Sequence, residues 1–173
     1  MRPRCSVFIA TSLDGFIARP DGGLDWLATV AAPGEDYGYE AFLASVDALV
    51  MGRGTYDAVL AFDDWPYAGK RCVVLTHRAP PSRHGEEFYA GRPDELAARL
   101  AAGGVTRVCV DGGVVIQQFL AAELVDDLTV SILPVLLGDG VRLFAPGAPE
   151  QRLVLDECRS WPTGLVQLRY RRG

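Results

Sequence analysis

The chain has 173 residues, 49% of them hydrophobic and 23% charged, and a formal net charge of −5 at neutral pH. An acidic balance excludes nucleic acid as the main partner, because phosphate backbones are gripped by basic faces. The apolar runs are far too short to cross a bilayer or to form a secretion signal.

Four cysteines occur, Cys5, Cys72, Cys109 and Cys158. None has C-x-x-C spacing and each lies in an apolar strand-like run, so they read as small buried hydrophobes of a reducing, cytoplasmic compartment. Only His77 and His84 are available as further ligands and neither is near a cysteine, which argues against zinc.

In chain order, residues 5–10 form a short apolar run, read as a buried strand. Residues 11–24 carry Asp14-Gly15, Pro20 and Asp21-Gly22-Gly23, a turn-rich loop. Residues 36–45 have helical spacing, with Asp36 and Glu40 one turn apart on one face. Residues 48–51 read as a strand and 55–60 as a short helix. Residues 71–76 are another buried strand, broken by Pro80-Pro81, and Phe88-Tyr89 a further short one. Residues 93–102 open with Pro93, Asp94 and Glu95 and close at Gly103-Gly104, the punctuation of a helix. A strand over 107–110, a helix over 114–122 and a long strand over 127–137 follow. Pro134 predicts a bulge or an edge in that last strand. Residues 153–158 and 165–170 flank Trp161-Pro162-Thr163-Gly164 as a hairpin.

Strands alternating with helices up to residue 122 predict parallel pairing through right-handed crossovers. The expected architecture is α/β in three layers: a mixed, mainly parallel sheet, helices on both faces, and a C-terminal antiparallel hairpin, with residues 1–173 as one domain. Ligands of such sheets bind outside the carboxyl ends of the strands.

Two strand ends there carry glycine. Val50-Met51-Gly52-Arg53-Gly54-Thr55-Tyr56 runs from strand through a glycine turn into a helix, with a guanidinium beside free amides. Val108-Cys109-Val110-Asp111-Gly112-Gly113 repeats the arrangement ahead of Val114 and Val115. Glycines let backbone approach an anion closely, and helix starts offer unpaired N–H groups. Two such ends suggest one ligand with more than one phosphate. Gly52-Arg53-Gly54 begins like G-x-G-x-x-G, but Asp57 stands at the third glycine position and no Gly-Lys-Ser/Thr triplet occurs. The plainer reading is two tight turns, with Thr55 and Asp111 as helix caps. Thr76, His77, Arg78 and nearby Arg83 end a third strand, where they suit a doubly charged phosphate and so NADP over NAD. Trp26, on an irregular stretch, either walls an apolar pocket or anchors the loop.

Taken together these residues resemble the dihydrofolate reductase-like superfamily, in its branch containing the reductase domain of bacterial riboflavin biosynthesis. The matching pieces are residues 11–18, 50–56, 74–78, 110–113 and 128–140, in family order. The resemblance implies an eight-stranded sheet and NADPH as cofactor. It implies Gly52, Arg53, Gly54, Thr55, Asp111, Gly112, Gly113, Val114 and Val115 about the pyrophosphate. Leu75, Thr76, His77 and Arg78 would lie near the adenosine ribose phosphate, and Ala10, Ile17 and Ala18 at the nicotinamide. Asp14, Trp26 and Tyr39 would border the substrate.

Asp25 precedes Trp26 where folate-reducing members carry Pro-Trp, which argues against folate. No H-x-E with P-C-x-x-C occurs within these residues, so they hold no deaminase half. The expected activity is hydride transfer from NADPH to a small heterocyclic or imine-like substrate, of the 5-amino-6-(5-phosphoribosylamino)uracil type. Asp14 is the first candidate for the proton and Glu40 the second. The alternatives are a catalytically silent NADPH sensor and folate reduction. The late apolar strand 132–137 is expected to pair across a homodimer.

Overall fold

The computed structural model describes all 173 residues. In chain order the elements are β1 (Arg4–Ser12), β2 (Phe16–Ala18), a 3-10 helix (Asp25–Val30), α1 (Tyr39–Ala44), β3 (Ala48–Gly52), α2 (Arg53–Val59), β4 (Arg71–Leu75), β5 (Glu87–Tyr89), α3 (Pro93–Ala102), β6 (Arg107–Asp111), α4 (Gly113–Ala121), β7 (Val125–Leu133), β8 (Val141–Arg142), β9 (Leu153–Ser160) and β10 (Val166–Arg172). Eight of the strands form one sheet in the order β5-β4-β3-β6-β1-β7-β10-β9, and β2 pairs with β8 in a small second sheet. The first six neighbours in that order run parallel. β10 joins β7 antiparallel, and β9 joins β10 antiparallel.

The central strands are apolar at consecutive positions because both faces are covered. Val7, Ala48, Val50, Val73, Val108 and Val110 turn to one face, against Leu96 and Leu100 of α3 and Ile116 and Phe119 of α4. The residues between them, Leu49, Met51, Cys72, Val74 and Cys109, turn to the other, against Phe42 of α1 and Tyr56 and Val59 of α2. The three-layer expectation therefore holds.

At the amino ends of the strands, the buried Asp127 carboxylate accepts from Ser6 Oγ (2.8 Å), Arg4 Nε (2.6 Å) and Arg107 Nη2 (3.3 Å). That network clamps three adjacent strands and leaves the glycine turns at the opposite end.

Several expectations need correction. The strand predicted over 127–137 is β7, which begins two residues earlier and stops before Pro134. It lies between β1 and β10, so Pro134 marks neither bulge nor edge: lacking an N–H, it ends the ladder. β7 has a neighbour on each side and offers no free edge to a second copy. The exposed apolar edge is β9, where Leu153, Val154 and Leu155 face outward. Cys158, on β9, is exposed, unlike the buried Cys5, Cys72 and Cys109. α2 starts at Arg53 with Gly52 at its cap position, which places Thr55 inside the first turn. The loop predicted over 11–24 contains β2, and the 3-10 helix over Trp26 lacked any periodic signal.

Candidate functional site

β3 and β6 are neighbours, with Met51 opposite Asp111, so their two glycine turns emerge side by side. Gly112 has φ +88°, and a Cβ there would overlap Thr55 Oγ1 and lie 3.7 Å from Gly52 N. Only glycine fits, on both conformational and steric grounds. A Cβ on Gly52 would stand 3.2 Å from Val115 Cγ2, and one on Gly113 would meet Ile17 Cδ1 at 3.2 Å and the Arg142 carbonyl at 3.0 Å.

The structure thus brings Gly52, Thr55, Asp111, Gly112, Gly113, Val115 and Ile17 into one junction. Neither α2 nor α4 has a side-chain cap, so the first N–H groups of α4 are unclaimed by any side chain. Gly54 has open space where its Cβ would be, and Val114 is exposed. Val115 is buried beneath Gly52, which makes it packing rather than a ligand contact. Asp111 is not a helix cap in the usual sense: Oδ1 accepts from the adjacent Gly112 N–H (2.7 Å).

A strap crosses the start of α4. Asp14 accepts from Ser12 Oγ (2.6 Å) and from the backbone N–H groups of Leu137 (3.1 Å) and Gly138 (2.7 Å). Gln117 Nε2 donates to the carbonyls of Arg142 (2.9 Å) and Leu143 (3.3 Å). Ala18 pairs with Val141 in this strap.

The expected proton source at Asp14 does not stand. The Ser12 hydroxyl, with the two loop amides, holds its carboxyl down at about 2, so it is ionised at neutral pH and acts as a loop clamp. Glu40 is exposed at the start of α1, its side chain bonded to nothing. Asp36 accepts from the N–H groups of Gly38 (2.9 Å) and Glu40 (2.8 Å), closing the helix start.

The carboxyl whose pKa is raised is Asp111: burial pushes it up, against the pull of the Gly112 N–H. Tyr39 and Tyr67 lie near it. Burial raises both phenols, Tyr39 to about 12, and the charge of Asp111 raises them further. The Tyr39 ring also packs on Phe8, centroids 5.7 Å apart.

Trp26 is buried under Val30, Leu133 and Leu165, with Ala10 packed against the same cluster, so it anchors the loop. Its Nε1 is the one buried side-chain polar atom without a partner.

β4 lies next to β3, with Leu75 opposite Gly52, so Thr76, His77 and Arg78 follow one strand over from the junction. Arg53, expected to face a phosphate, instead lies along α2: Nε pairs with Asp57 (2.8 Å) and Nη1 donates to the Arg78 carbonyl (3.2 Å). The sequence reading missed Tyr67 and Glu86, because aromatic and acidic residues inside irregular stretches carry no periodic signal. A recess of about 500 Å³ lies elsewhere, against Ala97, Ala98 and Ala101 of α3. Its polar lining is Arg2 and Asp94 alone, a poor constellation for chemistry.

Helices on both faces of a mainly parallel sheet, with glycine turns abutting at adjacent carboxyl ends, define a three-layer α/β protein. The sequence profile of the RibD C-terminal domain matches residues 3–167, and the chain belongs to that family. It is 33% identical to the uncharacterized protein YwjB of Bacillus subtilis (strain 168), over the full length of both chains. It is 32% identical to the riboflavin biosynthesis protein RibD of Corynebacterium ammoniagenes, over 83% of this chain and 47% of that one. A crystal structure of a Shewanella sp. PV-4 protein, provisionally assigned to riboflavin biosynthesis, superimposes with a TM-score of 0.92. The sequence identity is 39%, and the match covers 100% of this chain and 99% of that one.

Proposed function

We propose that the protein is a cytoplasmic NADPH-dependent reductase acting on a flat heterocyclic or imine-like substrate, of the kind reduced in riboflavin biosynthesis. The observation that carries this reading is the contact between the two glycine turns, where Gly112 leaves no room for a side chain between Thr55 and the Gly52 amide. A cradle that a single methyl group would fill suits a diphosphate approached by backbone N–H groups. Family membership and the name of the Corynebacterium relative support a place in riboflavin biosynthesis.

In this reading Gly52, Thr55, Gly112 and Gly113 hold the diphosphate, while Ile17 and Ala18 line the path to the nicotinamide. When bound, NADPH supplies the hydride. Burial raises the pKa of the Asp111 carboxyl, which makes it the candidate acid for a substrate atom that gains negative charge. Tyr39 and Tyr67 stay protonated beside it and wall that side of the site. Asp14 and Gln117 hold the strap across the start of α4 and limit water there.

The alternative is a catalytically silent NADPH-binding sensor; the raised pKa of Asp111, an acid beside the glycine turns, favours turnover over it. The test is the loss of reduced-nicotinamide absorbance when the protein is mixed with NADPH and a panel of ribosylaminopyrimidines, pterins and cyclic imines. Turnover with the first or last class is expected. Saturable NADPH binding with no oxidation across the panel contradicts the reading.

A further inference from the structure

α2 grips the segment after β4 at two points one helical turn apart. Arg53 Nη1 donates to the Arg78 carbonyl (3.2 Å). Tyr56, buried in the core, donates its hydroxyl to Glu86. Glu86 is itself buried and accepts from the backbone N–H groups of Arg83 (2.8 Å) and His84 (2.7 Å). The His84 ring then stacks on Trp65, centroids 4.5 Å apart and planes 7° from parallel. At the base of the segment, the Thr76 N–H donates to the Tyr89 carbonyl (2.9 Å). Pro80 and Pro81 narrow the remaining freedom. Residues 77–85 are therefore an arch tied at both feet.

The arch is cationic on its outer side. His77, Arg78 and Arg83 are exposed. Neither Arg78 nor Arg83 has a carboxylate partner, whereas Arg53, Arg71, Arg92 and Arg99 around them each have one. The acid closest in sequence, Glu86, is turned inward. Burial works against its charge, but the Tyr56 hydroxyl and the two amides win and hold its carboxyl at about 2. It supports the arch without neutralising it. The strand ends of β6, β3 and β4 stand in a row, so the arch begins roughly 10 Å from the Gly112 turn at the usual spacing of parallel strands.

We propose that the Tyr56–Glu86 pair is a positioning device that fixes the 77–85 arch, so that the Arg78 and Arg83 guanidiniums meet a second phosphate on the same ligand and select a 2′-phosphorylated dinucleotide. This rests on the NADPH reading above. A charge-assisted contact depends on placement, and Glu86 sets the backbone from which Arg83 extends. Neither Tyr56 nor Glu86 touches the ligand.

The test is fluorescence titration of NADPH and NADH into the wild-type protein and into Tyr56→Phe, Glu86→Gln and Arg83→Ala, with melting temperature as the control for folding. Wild type is expected to prefer NADPH. Each variant is expected to lose roughly tenfold in NADPH affinity, the size of one misplaced charge-assisted hydrogen bond, with NADH affinity held. Arg83→Ala and Glu86→Gln rest on different contacts, so a folding failure of Tyr56→Phe leaves the prediction intact. Equal wild-type affinity for the two dinucleotides, or equal weakening of both in Glu86→Gln, overturns the positioning role while leaving the cofactor reading standing. A wild-type protein that binds neither dinucleotide overturns the cofactor reading itself.

Discussion

Asp111 follows the last buried valine of β6, and burial raises the pKa of its carboxyl from the ordinary value. If it donates its proton, turnover is high while Asp111 is protonated and falls as pH rises through its elevated pKa. Asp111→Asn keeps an oxygen for the Gly112 N–H but has no proton to give. Its turnover should drop by about 10²–10⁴, the usual size of a general-acid contribution, with NADPH affinity retained. An unchanged pH–rate profile in this variant removes Asp111 from the chemistry.

Trp26 poses the complementary case. A buried donor without an acceptor costs about 1–3 kcal/mol, so Trp26→Phe should leave the melting temperature unchanged or raised. The sequence pointed to Asp111 as a helix cap or a residue about the pyrophosphate and not as an acid, because the burial that raises its pKa arises only in three dimensions. It overvalued Asp14, whose Asp-Gly turn was visible while the Leu137 and Gly138 amides that hold it ionised lie over a hundred residues away.

At the scale of elements, the informative pieces are the two strand-to-helix turns. Gly54 stands inside α2 facing empty space, so in the ligand-free protein an alanine there should stabilise the helix by about 0.5–1 kcal/mol. The same methyl group intrudes on the space assigned to the dinucleotide, so Gly54→Ala should melt higher yet bind NADPH more weakly, by calorimetry. Unchanged affinity would move the ligand away from α2. The regular elements were legible because their cues are local. Pro93, Asp94, Glu95 and Gly103 bracket α3 where the sequence placed it. The 3-10 helix and β2 were not legible. The first is six residues built around one tryptophan, and the second is three residues held by pairing with β8 more than a hundred residues away.

For the whole molecule, the division of labour runs along the strands. Their amino ends are closed by the Asp127 network and their carboxyl ends are opened by glycine, so structure and chemistry occupy opposite edges of one sheet. That polarity was predictable from the alternation of strands and helices. The identity of the neighbours was not: β3 lies beside β6 through pairing that the sequence order does not announce, and only this adjacency turns two ordinary turns into one cradle. No helix is long and apolar enough to cross a membrane.

The most direct test is a backbone amide NMR titration with NADPH. Saturable shifts concentrated at residues 52–55 and 112–115, with a second group at 76–84, are the predicted result. Shifts centred on α3, or changes confined to only one of the two glycine turns, would contradict a shared diphosphate cradle.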